Sequence, residues 1–176
     1  MFLYSGVAIY PSIDDSSIES VNFSYERGFA FGYEFRKVTP NSWGGAAGFE
    51  WHLARELDSV VVERKDSADD SFSLGSSPAE VSAKYLYYSW IYMWNEFYIP
   101  FGINYLMIDI SRGDSFLETP KTSNGVGFQF GLGWQFNSNI SGEWMVRSSA
   151  HSLEVGSSDY RMGAYASGSF GIRYSF

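Results

Sequence analysis

The chain contains no cysteine, and only 2 His and 5 Pro in 176 residues. The first absence excludes a disulfide framework and a thiolate metal centre. Two histidines flanked by carboxylates match no dedicated ligand spacing, so neither a metal nor a cofactor is expected. Positive charge is also scarce: 12 Lys and Arg face 20 Asp and Glu, a formal net charge of −8. That balance argues against nucleic acid as a partner. No apolar run approaches the roughly 20 residues of a membrane helix. No charged-then-apolar leader opens the chain, and Met1 runs straight into "FLYSGVAIYP". An exported form is therefore expected to have lost its signal peptide. Repeats, low-complexity tracts and linkers are missing too, so a single domain spanning residues 1–176 is expected.

What the chain does have is aromatic residues and glycine: 15 Phe, 13 Tyr, 6 Trp and 18 Gly. Their order is more telling than their number. In "VNFSYERGFAFGYEF" the odd positions include Phe23, Tyr25, Phe29, Phe31, Tyr33 and Phe35. The even positions are Asn22, Ser24, Glu26, Gly28, Ala30, Gly32 and Glu34. In "GVGFQFGLGWQF" Val126, Phe128, Phe130, Leu132, Trp134 and Phe136 alternate with glycines, Gln129 and Gln135. In "ISGEWMVRSSAH" Ile140, Trp144 and Val146 alternate with Glu143, Met145, Arg147 and His151. In "WGGAAGFEWHLARELD" one face carries Trp43, Phe49, Trp51, Leu53 and Leu57, the other Glu50, His52, Glu56 and Asp58. Period-two alternation means strands. A water-soluble lipocalin-type barrel would place the aromatic face inside. Small and charged residues on one face, bulky apolar ones on the other, strand after strand, is the pattern of a barrel turned inside out in lipid.

The spacing predicts strands over 2–10, 21–38, 43–62, 81–94, 97–110, 125–136, 140–153 and 162–176. "TPNS", "NE" and "NSN" are tight turns built from residues that favour them. The other connections are long and polar: "PSIDDSSIES", "ERKDSADDSFSLGSSPAE", "SRGDSFLETPKTSN" and "EVGSSDYR". The expected fold is all-β: an eight-stranded antiparallel transmembrane β-barrel with four long extracellular loops and three short periplasmic turns. Trp43, Trp94, Phe97, Trp134, Phe136, Trp144 and Tyr174 collect at the short-turn end, as an interfacial girdle would. "YLYYSWIYMW" is bulky on both faces. There Leu86, Tyr88, Trp90, Tyr92 and Trp94 are assigned outward, and in the first strand Leu3, Val7 and Ile9.

The chain closes on "SFGIRYSF". Ser169, Gly171, Tyr174 and Phe176 resemble, position by position, the C-terminal assembly signal of bacterial outer-membrane barrels. "FYIPFGINY", Phe97 to Tyr105, is similar to a strand common in the OmpA/OmpX-like superfamily of small eight-stranded barrels. The resemblance covers nearly the whole chain. It implies residence in the bacterial outer membrane, contact with its lipids and lipopolysaccharide, and recognition by the barrel-assembly machinery. It does not imply an activity, because such barrels include adhesins, structural proteins, narrow channels and lipid-modifying enzymes.

Inward parity assigns a lumen charge network to Glu26, Glu34, Arg36, Glu50, His52, Glu143, Arg147 and Arg173, with Asn104, Gln129, Gln135, His151, Glu56 and Asp58 on the same face. Eight strands leave room for side chains or a very narrow path, so a satisfied polar plug is expected, with a gated ion path as the alternative. Glu143 and Arg147 share a face of one strand, but each is expected to pair across the lumen. For catalysis, acyl-ester hydrolysis needs a Ser with a His in reach. Ser149 and His151 are the weak candidates, and no catalytic site is assigned. The long loops carry Asp14, Asp15, Glu19, Asp66, Asp69, Asp70, Asp114, Glu118, Glu154 and Asp159. They point to a structural or surface-interaction role, with an extracellular or periplasmic protein as a candidate partner. A lipid A- or lipopolysaccharide-modifying enzyme and a narrow channel are the alternatives.

Overall fold

A computed structural model of the chain describes the backbone of residues 2–10, 18–64, 70–72, 79–111, 121–155 and 158–175, and the side chains within 22–59, 79–111, 122–152 and 164–175. The strands are β1 (Phe2–Tyr10), β2 (Ile18–Lys37), β3 (Ser42–Arg64), β4 (Asp70–Phe72), β5 (Glu80–Trp94), β6 (Phe97–Ile110), β7 (Lys121–Thr122), β8 (Gly125–Gln135), β9 (Ile140–Val155) and β10 (Ser158–Tyr174). Every pairing is antiparallel. The ladder runs β1–β2–β3–β5–β6–β8–β9–β10, and β10 pairs back onto β1, so the sheet closes on itself. Closure removes the free edges that lipid cannot solvate. The short strands β4 and β7 stand outside this circuit, on the loop-side extensions of β3 and β9.

The turn chemistry does what the sequence suggests. Asn41 and Asn95 hold the left-handed conformation, with φ of 56° and 52°, which Asn tolerates better than most residues. The Asn41 side chain accepts the Asn95 amide at 3.2 Å, tying one tight turn to the next. Asn137 Oδ1 accepts from the amides of Asn139 and Ile140, both at 2.8 Å. Asn139 in turn clasps Ser175 through backbone and side chain, which anchors the end of β10. The last of the expected long connections is not one. β9 and β10 keep pairing up to Val155 and Ser158, so "EVGSSDYR" is mostly strand, with an irregularity between Tyr160 and Gly163.

The outer wall is apolar and exposed. Phe29, Phe31, Tyr33 and Phe35 on β2, Leu86 to Trp94 in alternation on β5, and Val126, Phe128, Phe130, Leu132 and Trp134 on β8 all point away from the lumen. Phe128 is 74% exposed while the polar Gln129 beside it is 4% exposed. That reversal is the inverse of a soluble barrel. The bulky β5 resolves cleanly: Tyr85, Tyr87, Ser89, Ile91 and Met93 are inside, the alternate residues outside. The side chains of Leu3, Val7, Ile9 and Phe176 lie outside the described residues.

Two irregularities overturn the parity expected near the loop end. In β2, Glu26 and Arg27 are both exposed; in β3, Leu53 and Ala54 are both exposed. The regular β2–β3 ladder is interrupted between Tyr25–Leu57 and Ala30–His52, so these stretches face each other. Each strand carries one extra residue against its other neighbour, β2 against β1 between Leu3 and Ser5 and β3 against β5 between His52 and Arg55, and such a β-bulge swaps the faces of what lies beyond it. Tyr25, expected outside, is buried, and Leu57 likewise turns inward. Glu26, Glu56 and Asp58, expected in the lumen, face outward instead.

The register of β1 has a further consequence. Phe2 pairs with both Phe29 and Phe170. Toward the short turns from that level, β2 from 31 to 37 and β10 from 171 to 174 have no strand between them among the described residues. A cavity of about 450 Å³ lies there, lined by lumen residues such as Glu34, Arg36 and Arg173 together with wall residues such as Phe35 and Ile172.

Candidate functional site in the barrel lumen

The lumen has two chemically different halves. On the short-turn side, four charges interlock. Arg36 Nε donates to Glu34 at 2.7 Å and its Nη2 to Glu143 at 2.8 Å. Arg173 binds Glu34 at 3.0 Å and also donates to Glu143. Two acids and two guanidinium groups from three strands neutralise one another. Tyr98 caps the group: its ring lies 4.6 Å under the Arg36 guanidinium, and its hydroxyl meets Ser141 at 3.3 Å. β9 contributes Glu143 because its inward face is polar. The small residues opposite it, Gly133 on β8 and Gly171 on β10, leave space for crossing side chains. Gly133 is the sharper case, since a Cβ there would collide with the Tyr98 ring.

One layer deeper sits Arg147, fully buried at 0% exposure. Its Nη2 donates to Glu50 at 2.9 Å, its Nε to Gln129 at 3.2 Å and its Nη1 to Ser169 at 3.4 Å. Gln129 passes a hydrogen bond on to Ser89 at 2.6 Å. The other Glu50 oxygen meets His52 Nε2 at 2.7 Å. Thus Arg147 pairs with Glu50 across the lumen and Glu143 with Arg36 and Arg173, neither with the other. The sequence reading joined these groups as one network; the structure separates them into two clusters. Tyr87 is the link. Its hydroxyl donates to Glu34 at 2.9 Å, and Arg147 sits 5.5 Å from its ring. Ion pairs held this way satisfy the charges that burial would otherwise penalise.

The loop-side half is aromatic and aliphatic. Tyr25, Leu57, Val81, Tyr85, Leu106, Ile108, Ile110 and Tyr165 form one buried cluster. Among the described residues Arg55, on β3, is the cation that enters it, at 4% exposure. Its Nη2 donates to Tyr165 at 2.5 Å. Only register between two strands reveals this position; no local sequence signal marks it.

The catalytic candidates do not assemble. Ser149 donates to Asn104 Oδ1 at 2.5 Å rather than to a histidine. Among the described residues no side chain hydrogen-bonds either ring nitrogen of buried His151. The nucleophile–base hydrogen bond that acyl transfer requires is therefore not formed by this pair. Of the assembly-signal residues, Ser169 points into the lumen beside Arg147, while Tyr174 stands on the outer rim at 62% exposure. No group of His, Asp and Glu able to hold a metal ion occurs among the described residues.

No protein-family model matches the chain, and no curated protein matches it. Among solved structures it is similar to the outer membrane protein OprG from Pseudomonas aeruginosa, with 13% identity over 99% of this chain and 94% of that one, at a TM-score of 0.46. It is also similar to the outer membrane protease OmpT from Escherichia coli, with 9% identity over 99% of this chain and 93% of that one, at a TM-score of 0.43. The lumen of this chain is therefore interpreted from its own residues.

Proposed function

We propose that the protein is an integral barrel of the bacterial outer membrane, acting as a structural or surface-interaction protein. The observation that carries this reading is the inversion of the wall: aromatic and aliphatic side chains point out, and ion-paired charges point in. Such a wall is stable in a bilayer and would aggregate in water. The filled lumen supports a role for the exterior rather than for transport. Arg147, Tyr85, Tyr98, Ile91 and Leu106 are all fully buried within it. A wide aqueous path would expose at least some of them. Function then falls to the surfaces that remain, the acidic loops and the lipid-facing wall. Their natural partners are lipopolysaccharide, bridged to the loop acids by divalent cations, and a protein bound at the outer face. The C-terminal motif supports insertion by the barrel-assembly machinery.

The test has two arms. Purified protein in planar bilayers should give no steady conductance, and cells displaying it should bind a surface or partner only while the loops are intact. Steady ion currents would overturn the reading in favour of a channel. An altered lipid A acylation pattern in cells expressing the protein would overturn it in favour of an enzyme.

A further inference from the structure

The paired bulges of β2 and β3 do more than change parity. A bulge can re-aim one side chain, and here the one re-aimed is Arg55. Without the extra residue in β3, the side chain turned inward near this level would be Ala54 or Glu56. Gly28, across the ladder, clears the path: a Cβ at that position would collide with the Arg55 side-chain carbons. The guanidinium thus arrives in the loop-side lumen through a matched pair of features on two strands. It then lacks what the other lumen arginines among the described residues have. Arg36, Arg147 and Arg173 each meet a carboxylate. Arg55 meets none among the described residues. Its Nη2 has Tyr165, but Nε and Nη1 have no acceptor.

An unpaired buried guanidinium is costly, and the natural compensation is a negative charge with acceptor oxygens. Surrounding groups suit such an occupant. The Tyr165 hydroxyl is already at the guanidinium, and the Tyr165 ring packs near Tyr85, with centroids 6.4 Å apart. Tyr85 packs in turn on the His52 ring, with centroids 5.0 Å apart. Aliphatic Leu57, Val81 and Ile110 share the level and lower the local dielectric, which strengthens a charge-assisted contact. Leu57 bonds through its backbone to Ala79, next to the end of β5, so Arg55 lies close to the loop-bearing mouth.

We propose that Arg55 is the centre of an oxyanion-binding site in the loop-side lumen, taking a small carboxylate or phosphate. The occupant accepts from Nε and Nη1 and supplies the missing counter-charge.

The test follows the thermal unfolding midpoint of protein refolded in a zwitterionic detergent. Sodium phosphate and, separately, sodium acetate are titrated at constant ionic strength held with sodium chloride. A ligand that binds only the folded state raises the midpoint saturably. The expected result is a saturable rise whose half-saturating concentration increases at least tenfold in Arg55→Gln. Arg27→Gln, altering an outward-facing arginine at the same bulge, should respond like the unaltered protein. Neutralising Asp14, Asp15, Asp66 and Asp69 to Asn separates the sources. A response that strengthens in this variant identifies a loop carboxylate as the resident oxyanion; an unchanged response identifies a free ion. Equal responses in the unaltered protein and Arg55→Gln would mean an adventitious ion only and would overturn the proposal. So would the lack of a saturable response in both the unaltered and the loop-neutralised protein. If Arg55→Gln does not refold, ¹⁵N-arginine spectra of the unaltered protein give the answer. The Nε–H signal that is missing in Arg55→Lys should move on adding phosphate, and its failure to move overturns the site.

Discussion

The two halves of the lumen solve the same problem in opposite ways. On the short-turn side the barrel encloses charges and pairs every one of them: Glu34, Arg36, Glu143 and Arg173 interlock, and Glu50 and Arg147 hold each other across the interior. On the loop side it encloses tyrosines and aliphatic residues, and among the described residues two guanidinium donors of Arg55 and ring nitrogens of His52 and His151 have no hydrogen-bond partner. In the first half each of these charges is held by a partner on another strand. The second half keeps unspent hydrogen-bonding capacity next to the end that carries the loops. With the proposed Arg55 site, stability and binding would be separated along the barrel axis, and substitutions in the two halves should separate in kind.

The largest effect is expected at Arg147. Arg147→Ala leaves Glu50 buried without its cation and should cost about 3–5 kcal/mol in a dry site. Arg147→Met, which keeps volume without charge, should be nearly as harmful unless Glu50→Gln accompanies it. Urea unfolding of detergent-refolded protein measures all three. If Arg147→Ala leaves the midpoint unmoved, the plug is hydrated and the contrast between halves disappears.

The outer wall offers the next test. Phe130→Arg on β8 places a cation among lipid-facing aromatics and should cost roughly 2–4 kcal/mol near the bilayer midplane. Ala150→Arg, outward on β9 toward the loops, should cost only about 0–1 kcal/mol, as expected near an interface. Equal costs from refolding into vesicles would show that the apolar band reaches further toward the loops than the outward charges of Glu56, Asp58 and Asp109 imply.

Gly28 probes the bulge itself. Gly28→Val overpacks the space used by Arg55 and should cost about 1–3 kcal/mol. The same change at Gly168, where an added Cβ meets nothing within 4 Å, should be close to neutral. Similar unfolding midpoints for the two variants would mean that Arg55 is not held in the position described.

The smallest stability effect belongs to Phe176. Its deletion removes a single aromatic side chain and should change stability by a few tenths to about 2 kcal/mol. If the resemblance of Ser169, Gly171, Tyr174 and Phe176 to an assembly signal reflects its use, deleting Phe176 should sharply lower the amount of protein inserted in cells. Comparing surface-exposed protein in cells with refolded yield in micelles separates an assembly address from a simple anchor; matching losses identify the anchor.

Much of the barrel was legible in the chain because its causes are local. Alternation of Phe128, Phe130 and Leu132 with Gly127, Gln129 and Gly131 dictates which face meets lipid, since side chains on a strand alternate by geometry alone. Asn41, Asn95 and Asn137 announce the tight turns for an equally local reason: the first two tolerate left-handed backbone, and Asn137 offers a short accepting side chain. Candidates for the charged interior, such as Glu143, Arg147 and Glu50, could be named from parity, but not their partners. Those depend on which strands meet across the lumen and at what height, a non-local property of closure and register. The bulges show the limit most clearly. Nothing in "YERGF" or "HLARE" marks an extra residue, because a bulge exists only as a mismatch between two paired strands. Tertiary pairing alone therefore sent Glu26 outward and turned Arg55 in, and with that decided where the barrel keeps its one unpaired buried guanidinium among the described residues.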